Sequence, residues 1–192
     1  MIRISAILLA LLTLITGIIY PLLVTCIGFL IAPKAAGGSL IKIEGVVIGA
    51  RPIGQNFTAP HYFHPRPSAA NYDAAHSTGS NLGPTSQKLA DQVAKRSASY
   101  QEVNDLSISA QVPADALHAS ASGLDPHISF ANALAQAPRI AAARNLDLNT
   151  VIEMIKKNTQ GPTLGILGGE RVHVLNLNLL LDRHISHAKT DF

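Results

Sequence analysis

The chain has 192 residues, a formal net charge of +3, 47% hydrophobic residues, no tryptophan and one cysteine. That length allows one membrane anchor plus one domain of ordinary size. So weak and dispersed a charge argues against a nucleic-acid binder, and the lone Cys26 excludes an internal disulfide.

Residues 4–32 contain no charged side chain. A helix needs about 20 mostly apolar residues to cross the hydrocarbon core, and this run has no polar stripe of the kind a soluble helix shows. It reads as a transmembrane anchor over residues 1–32, with its apolar core at about 6–31. Gly17 and Pro21, four residues apart, mark a kink or a close helix contact there, with Thr13 and Thr16 as further small packing positions. The competing reading is a cleaved signal peptide, with Arg3 as its charged start and a cleavage site near residues 32–36. Its apolar region is ordinarily only about 7–15 residues long. Arg3 precedes the run and Lys34, Lys42 and Arg51 follow it, so flanking charge does not fix orientation.

Residues 33–182 read as one soluble α+β domain of mixed helices and short strands. Its core is expected to be largely aliphatic, since phenylalanine and tyrosine are few. Residues 37–51 predict a glycine-punctuated strand pair. Pro60, Pro65 and Pro67 forbid a regular helix over 57–72, and residues 77–84 form a turn cluster. A helix follows from 84 or 85 to 103, with Leu89, Val93, Tyr100 and Val103 as its apolar stripe. Residues 108–112 predict a short strand and 119–129 a loop. Ser129 is a plausible N-cap for a helix over 130–144, which Pro138 should break or kink. Asn149 or Thr150 would cap another helix over 151–158. Residues 164–167 and 172–181 then read as strands, the second with a bulge where its alternation slips near Leu175. Residues 183–192 read as a loose tail.

Three clusters could carry chemistry. His61 and His64, with His76 nearby, have a weak metal-ligand spacing, but the segment is proline-broken and no cysteine or close carboxylate completes a zinc set. Packing aromatics and a locally paired Arg66 explain it more simply, so no metal site is assigned. The run from Gly79 through Ser80 and Asn81 to Pro84 could hold an anion on its backbone N–H groups, or be only a turn and helix start; it lacks the Lys-Ser/Thr ending of a phosphate loop. Ser122, Asp125 and His127 lie too close together in sequence for the separately presented groups of a hydrolytic triad. A loop stapled by its Asp and Ser side chains is the simpler reading. No catalytic residue is assigned.

The ordered segments Gly54-Gln55-x-Phe57, Tyr62-Phe63-His64-x-Arg66-Pro67-Ser68-Ala69, Gly79-Ser80-Asn81-Leu82-Gly83-Pro84, Ser120-x-Ser122-Gly123-Leu124-Asp125-Pro126-His127-Ile128-Ser129 and Val174-Leu175-x-Leu177-Asn178 are distinctive together. With the N-terminal anchor they resemble the KdpC family, the small subunit of the bacterial Kdp potassium-transporting ATPase, over nearly the whole chain. Pro138 and His173 depart from the family pattern. The resemblance implies a non-catalytic accessory subunit of the inner membrane, needed for assembly, with its soluble domain on the periplasmic side. Implied partners are the bilayer, a P-type ATPase pump subunit that hydrolyses ATP, a channel-like potassium-binding subunit and a small hydrophobic peptide. The implied role is a catalytic chaperone that raises the pump's ATP affinity. No cofactor is expected to bind firmly; ATP would enter only through a ternary complex with the pump, for which the loop at Ser122 and Gly123 is the candidate contact. The implied topology separates this domain from cytoplasmic ATP, so its influence must pass through the membrane subunits. On this reading Tyr62, Phe63, His64, Arg66, Ser80, Asn81, Ser122, Gly123, Asp125 and His127 form a candidate docking or nucleotide-influencing surface, and Thr13, Thr16, Gly17 and Pro21 a helix-packing surface. A membrane-tethered envelope hydrolase or metal-binding protein, using the His- and Ser-rich loops, is the alternative.

Overall fold

The computed structural model describes residues 2–188. The chain divides into two compact units, Met1–Arg51 and Pro52–Phe192.

The first unit is dominated by one apolar helix, Ile2–Ile31, none of which is buried within the chain. It is not uniform. A π-helical turn occupies Ile15–Ile19, closed by the Tyr20 N–H donating to the Ile15 carbonyl. Its position follows from Pro21, which has no N–H to give and whose ring crowds the carbonyl four residues earlier, that of Gly17. A widened turn relieves that crowding. The hydroxyls of Thr16 and Thr25 return to the Leu12 and Pro21 carbonyls, both at 2.7 Å, so each is satisfied within the helix. A single helical turn, Pro33–Ala36, follows, and then the expected antiparallel hairpin of β1 (Leu40–Ile43) and β2 (Val46–Ala50), with a register shift between Ile41 and Lys42.

The second unit is α+β. Helices Gln87–Val103, Phe130–Arg144, Leu148–Asn158 and Val174–Ala188 surround a small antiparallel sheet. Its strands β3 (His127–Ser129), β4 (Thr159–Gln160) and β5 (Arg171–His173) lie in the order β3-β5-β4. Phe63, Ile128, Ile140, Val151, Ile155, Val172, Leu177 and Leu181 are fully buried in one cluster. Each such side chain contributes about 1.5–3 kcal/mol, and the core is aliphatic around a single buried phenylalanine.

Several boundaries differ from expectation. Helix Phe130–Arg144 begins at Ser129 as expected, with Ser129 Oγ accepting from the Asn132 N–H at 3.0 Å. It nevertheless runs on through Pro138, which lies on the exposed side where a missing N–H is tolerable. Asn145 ends it with a left-handed φ of 52°. The next helix is capped by Asp147, which accepts from the Thr150 N–H at 3.1 Å, and not by Asn149 or Thr150. Residues 108–112 form turns, not a strand. Residues 163–167 form a tight turn bracketed by the Thr163–Leu167 bridge, not a strand. Only Arg171–His173 of the predicted last strand is extended. Val174–Ala188 is helical, with Val174, Leu177 and Leu181 on its buried face. The supposed tail is helical through Ala188; residues 189–192 lie outside the described residues.

Candidate functional site

The segment 52–84 has no helix or strand among its residues, so its backbone groups need partners elsewhere. Two buried carboxamides supply them. The Phe63 N–H donates to Asn178 Oδ1 at 2.8 Å, and Asn178 Nδ2 donates to the Phe63 carbonyl at 3.1 Å. One residue on, the His64 N–H donates to Gln136 Oε1 at 2.7 Å, and Gln136 Nε2 returns to the His64 carbonyl at 3.1 Å. Each amide side chain thus imitates a neighbouring strand. Two arginines extend the clamp. Arg139 donates to the carbonyls of Pro60 and Tyr62. Arg144 donates to the His61 carbonyl at 2.6 Å and to Asp182 at 2.8 Å, and its guanidinium lies 5.0 Å from the Tyr62 ring centre. The Tyr62 hydroxyl completes the set by donating to Asp182 at 2.9 Å. Burial, reinforced by Asp182, raises the Tyr62 pKa and keeps this donor protonated.

Further along, the segment is laced to the loop before β3. Ser68 Oγ donates to the Gly123 carbonyl at 2.6 Å, and Ser77 Oγ donates to the Ser122 carbonyl at 2.8 Å. The backbones come too close for side chains. A Cβ on Gly54 would lie 2.6 Å from the Asp125 carbonyl oxygen. One on Gly123 would lie 2.7 Å from that of Thr78, at a φ of +69°. Beneath the loop, Asp115 accepts from the Ser129 N–H and hydroxyl and from Asn132, tying β3 to the following helix.

Where the two loops meet, Arg66 Nη1 donates to Asp125 Oδ2 at 2.9 Å. The pairing is therefore between distant segments, not local as the sequence implies. The His127 N–H donates to Asp125 Oδ1 at 3.0 Å, and His127 Nδ1 lies 3.4 Å from the same oxygen. Burial pushes the Asp125 carboxyl up, but the His127 and Arg66 hydrogen bonds outweigh it and hold its pKa below the ordinary value. Surface hollows of about 530 and 280 Å³ share this pair as a wall, the first edged by Ser122 and the second by Arg171. The result is a fixed charge pair set in a concave rim.

The expected docking residues therefore have different environments. Phe63 is fully buried and serves the core. Tyr62 and His64 are half-buried and support the segment, while Arg66, Asp125 and His127 form the charged junction. Ser80, Asn81 and Ser122 are exposed, Ser122 at the edge of the first hollow, and Gly123 is buried at the seam. Ser122 Oγ accepts from the Leu124 N–H at 3.1 Å, so it serves the loop's own turn. The histidines of the first cluster separate: His61 packs on Tyr62, His64 Nε2 lies 3.1 Å from the Ala59 carbonyl, and His76 pairs with Asp73. Among the described residues no three His, Cys, Asp or Glu side chains gather as metal ligands. Gln136, Arg139, Arg144 and Asp182 were not singled out from sequence, and Asn178 was quoted only within a family segment, without its clamping role; buried amides on apolar helix faces were the available signal.

A family model described as the K+-transporting ATPase, c chain, KdpC, matches residues 2–183. The chain belongs to the KdpC family. A Mycobacterium tuberculosis protein named "Potassium-transporting ATPase KdpC subunit" is 53% identical over 173 residues, spanning 89% of this chain and 92% of the relative. A Cereibacter sphaeroides protein of the same name is 52% identical over 171 residues, spanning 89% and 90%. The chain is thus an accessory KdpC subunit of a potassium-transporting P-type ATPase, membrane-associated through Ile2–Ile31, the one candidate spanning helix among the described residues. The hydrolase and metal-protein alternative is not favoured.

His64 gives this KdpC domain a pH dependence. Burial first, then the nearby Arg139, lowers its pKa below the ordinary 6.5, although backbone acceptors pull the other way. The unfolded chain therefore takes up a proton at a pH where the folded one resists it. This contribution to stability is complete above pH 6.5 and is lost as the pH falls towards the folded value. Urea unfolding at pH 7.5 and pH 5.5 is expected to show His64→Gln losing less stability than the parent over that interval. Equal losses would contradict it.

Proposed function

We propose that this chain is the assembly and regulatory subunit of a potassium-importing complex, with its domain on the periplasmic side of the inner membrane. ATP hydrolysis belongs to the P-type pump subunit. A channel-like potassium-binding subunit and a small hydrophobic peptide complete the assembly. The observation that carries this reading is the family match over residues 2–183. It is supported by a spanning helix that buries nothing within its own chain and so has its whole surface free for lipid and neighbouring helices. Thr13, Thr16, Gly17 and Pro21 surround its widened turn, where close packing is easiest.

The loops that meet at Arg66 and Asp125 form the docking surface, with Ser80, Asn81 and Ser122 on its rim. The chain acts as a catalytic chaperone by preferring one conformation of the pump. That requires contacts whose energy differs between pump states, and it needs no nucleotide in the loop at Ser122 and Gly123. The test compares the KM for ATP of the full complex with that of a complex carrying Arg66→Ala. The substitution is expected to cost the isolated domain only about 1–2 kcal/mol while raising KM for ATP and lowering recovery of the intact complex. Unchanged recovery and unchanged KM would overturn the docking assignment.

A further inference from the structure

A further cavity lies wholly within the first unit. It has a volume of about 560 Å³ and is lined by Lys34, Ser39, Lys42 and Arg51 together with Pro33 and Leu40. No acidic side chain lines it. Glu44, the only acid in residues 1–51, sits at the turn of the hairpin, away from the β1–β2 end formed by Leu40 and Ala50. Among the described residues neither Lys34 nor Lys42 pairs with a carboxylate.

The backbone brings the segments that carry Lys34 and Arg51 together. The Ser39 N–H donates to the Lys34 carbonyl at 2.8 Å, and the Arg51 N–H donates to the Ser39 carbonyl at 3.1 Å. Residues far apart in sequence are thus joined through one serine. The cavity is also fixed to the end of the apolar helix. The Ala32 N–H bonds the Gly28 carbonyl, and the turn Pro33–Ala36 lies back on Gly28, where a Cβ would sit 3.9 Å from Ala36 Cβ. A helix spanning Ile2–Ile31 is about 45 Å long at 1.5 Å per residue. This equals the bilayer thickness of roughly 40–45 Å with its headgroups included. Its last turn therefore emerges at headgroup level, where lipid phosphates lie.

We infer that this cavity binds the phosphate of an anionic phospholipid, with Lys34, Lys42 and Arg51 as its cationic wall. The three charges that leave membrane orientation undecided thereby acquire a role. The inference rests on the helix crossing the membrane and is independent of the docking surface.

The test uses the full chain in mild detergent, with phosphatidylglycerol or phosphatidylcholine added separately and bound lipid counted by native mass spectrometry. Phosphatidylglycerol is expected to be retained in preference. Its affinity should fall about fivefold for each lysine removed in Lys34→Gln/Lys42→Gln. Both lysines are exposed, so the fold should persist. Lys156→Gln/Lys157→Gln, in the second unit, should bind like the parent. Millimolar inorganic phosphate should not displace the lipid. Equal retention of both lipids, parent-like binding by Lys34→Gln/Lys42→Gln, reduced binding by the control, or displacement by inorganic phosphate would each overturn the assignment.

Discussion

Asn178→Ala is expected to destabilise the soluble domain by about 2–5 kcal/mol. Asn178 is 1% exposed, and its amide satisfies both backbone groups of Phe63. Removing it strands a buried donor and a buried acceptor, each costing about 1–3 kcal/mol, and leaves a small void at a fully buried position. A loss near the middle of that range corresponds to a melting shift of about 10 °C for a domain of this size. Asn178→Asp should recover only part of it, since a carboxylate accepts from the Phe63 N–H but cannot donate to the carbonyl. Asn176→Ala, nearby on the same helix at a half-buried position, should cost under about 0.5 kcal/mol. Thermal unfolding of the three variants measures the difference. An Asn178→Ala protein as stable as Asn176→Ala would mean that segment 61–64 is held by something other than its amide clamps.

Gly123→Ala should cost about 2–4 kcal/mol through two separate effects. The left-handed φ of +69° penalises any Cβ, and that atom would lie 2.7 Å from the Thr78 carbonyl oxygen and 2.8 Å from Ala70 Cβ. Neither neighbour is the end of a flexible side chain, so the loops must part. Since Gly123 lies two residues from Asp125, the charged junction should move with them, and complex recovery should fall with stability. Gly83→Ala is the contrast: a Cβ there meets nothing within 4 Å and φ is not left-handed. It should be neutral or stabilising by up to about 1 kcal/mol. Chemical denaturation distinguishes the two, and equal midpoints would show that the seam between the loops is looser than its geometry.

Both positions show where sequence reading succeeds and stops. The anchor, the β1–β2 hairpin and the Ser129 cap are local, set by apolar run length, turn residues and one hydroxyl, and each is legible without tertiary information. The last element is misread because Arg171, Val172 and His173 alternate as a strand should, while the buried set that follows, Val174, Leu177 and Leu181, has the helical spacing of three and four. The turn at Leu164–Leu167 is apolar yet exposed, with Leu164 85% and Ile166 81% accessible, so composition alone points to a buried strand. The candidate site was legible as a set of family segments but not as an arrangement. Arg66 and Asp125 are 59 residues apart, and Phe63 and Asn178 are 115 apart. A proline-rich segment whose backbone partners are side chains on remote helices carries no periodicity to reveal them.

The central claim is that this chain works only as part of a potassium-transporting complex. Its most direct test is affinity purification of the tagged full chain from mildly solubilised membranes of potassium-starved cells, with every co-eluting protein identified. The account predicts stoichiometric recovery of a P-type ATPase subunit and a large channel-like subunit, lost on substitution at Arg66 and Asp125. Recovery of the chain alone, from cells that make those subunits and under conditions that leave other membrane complexes intact, would contradict it.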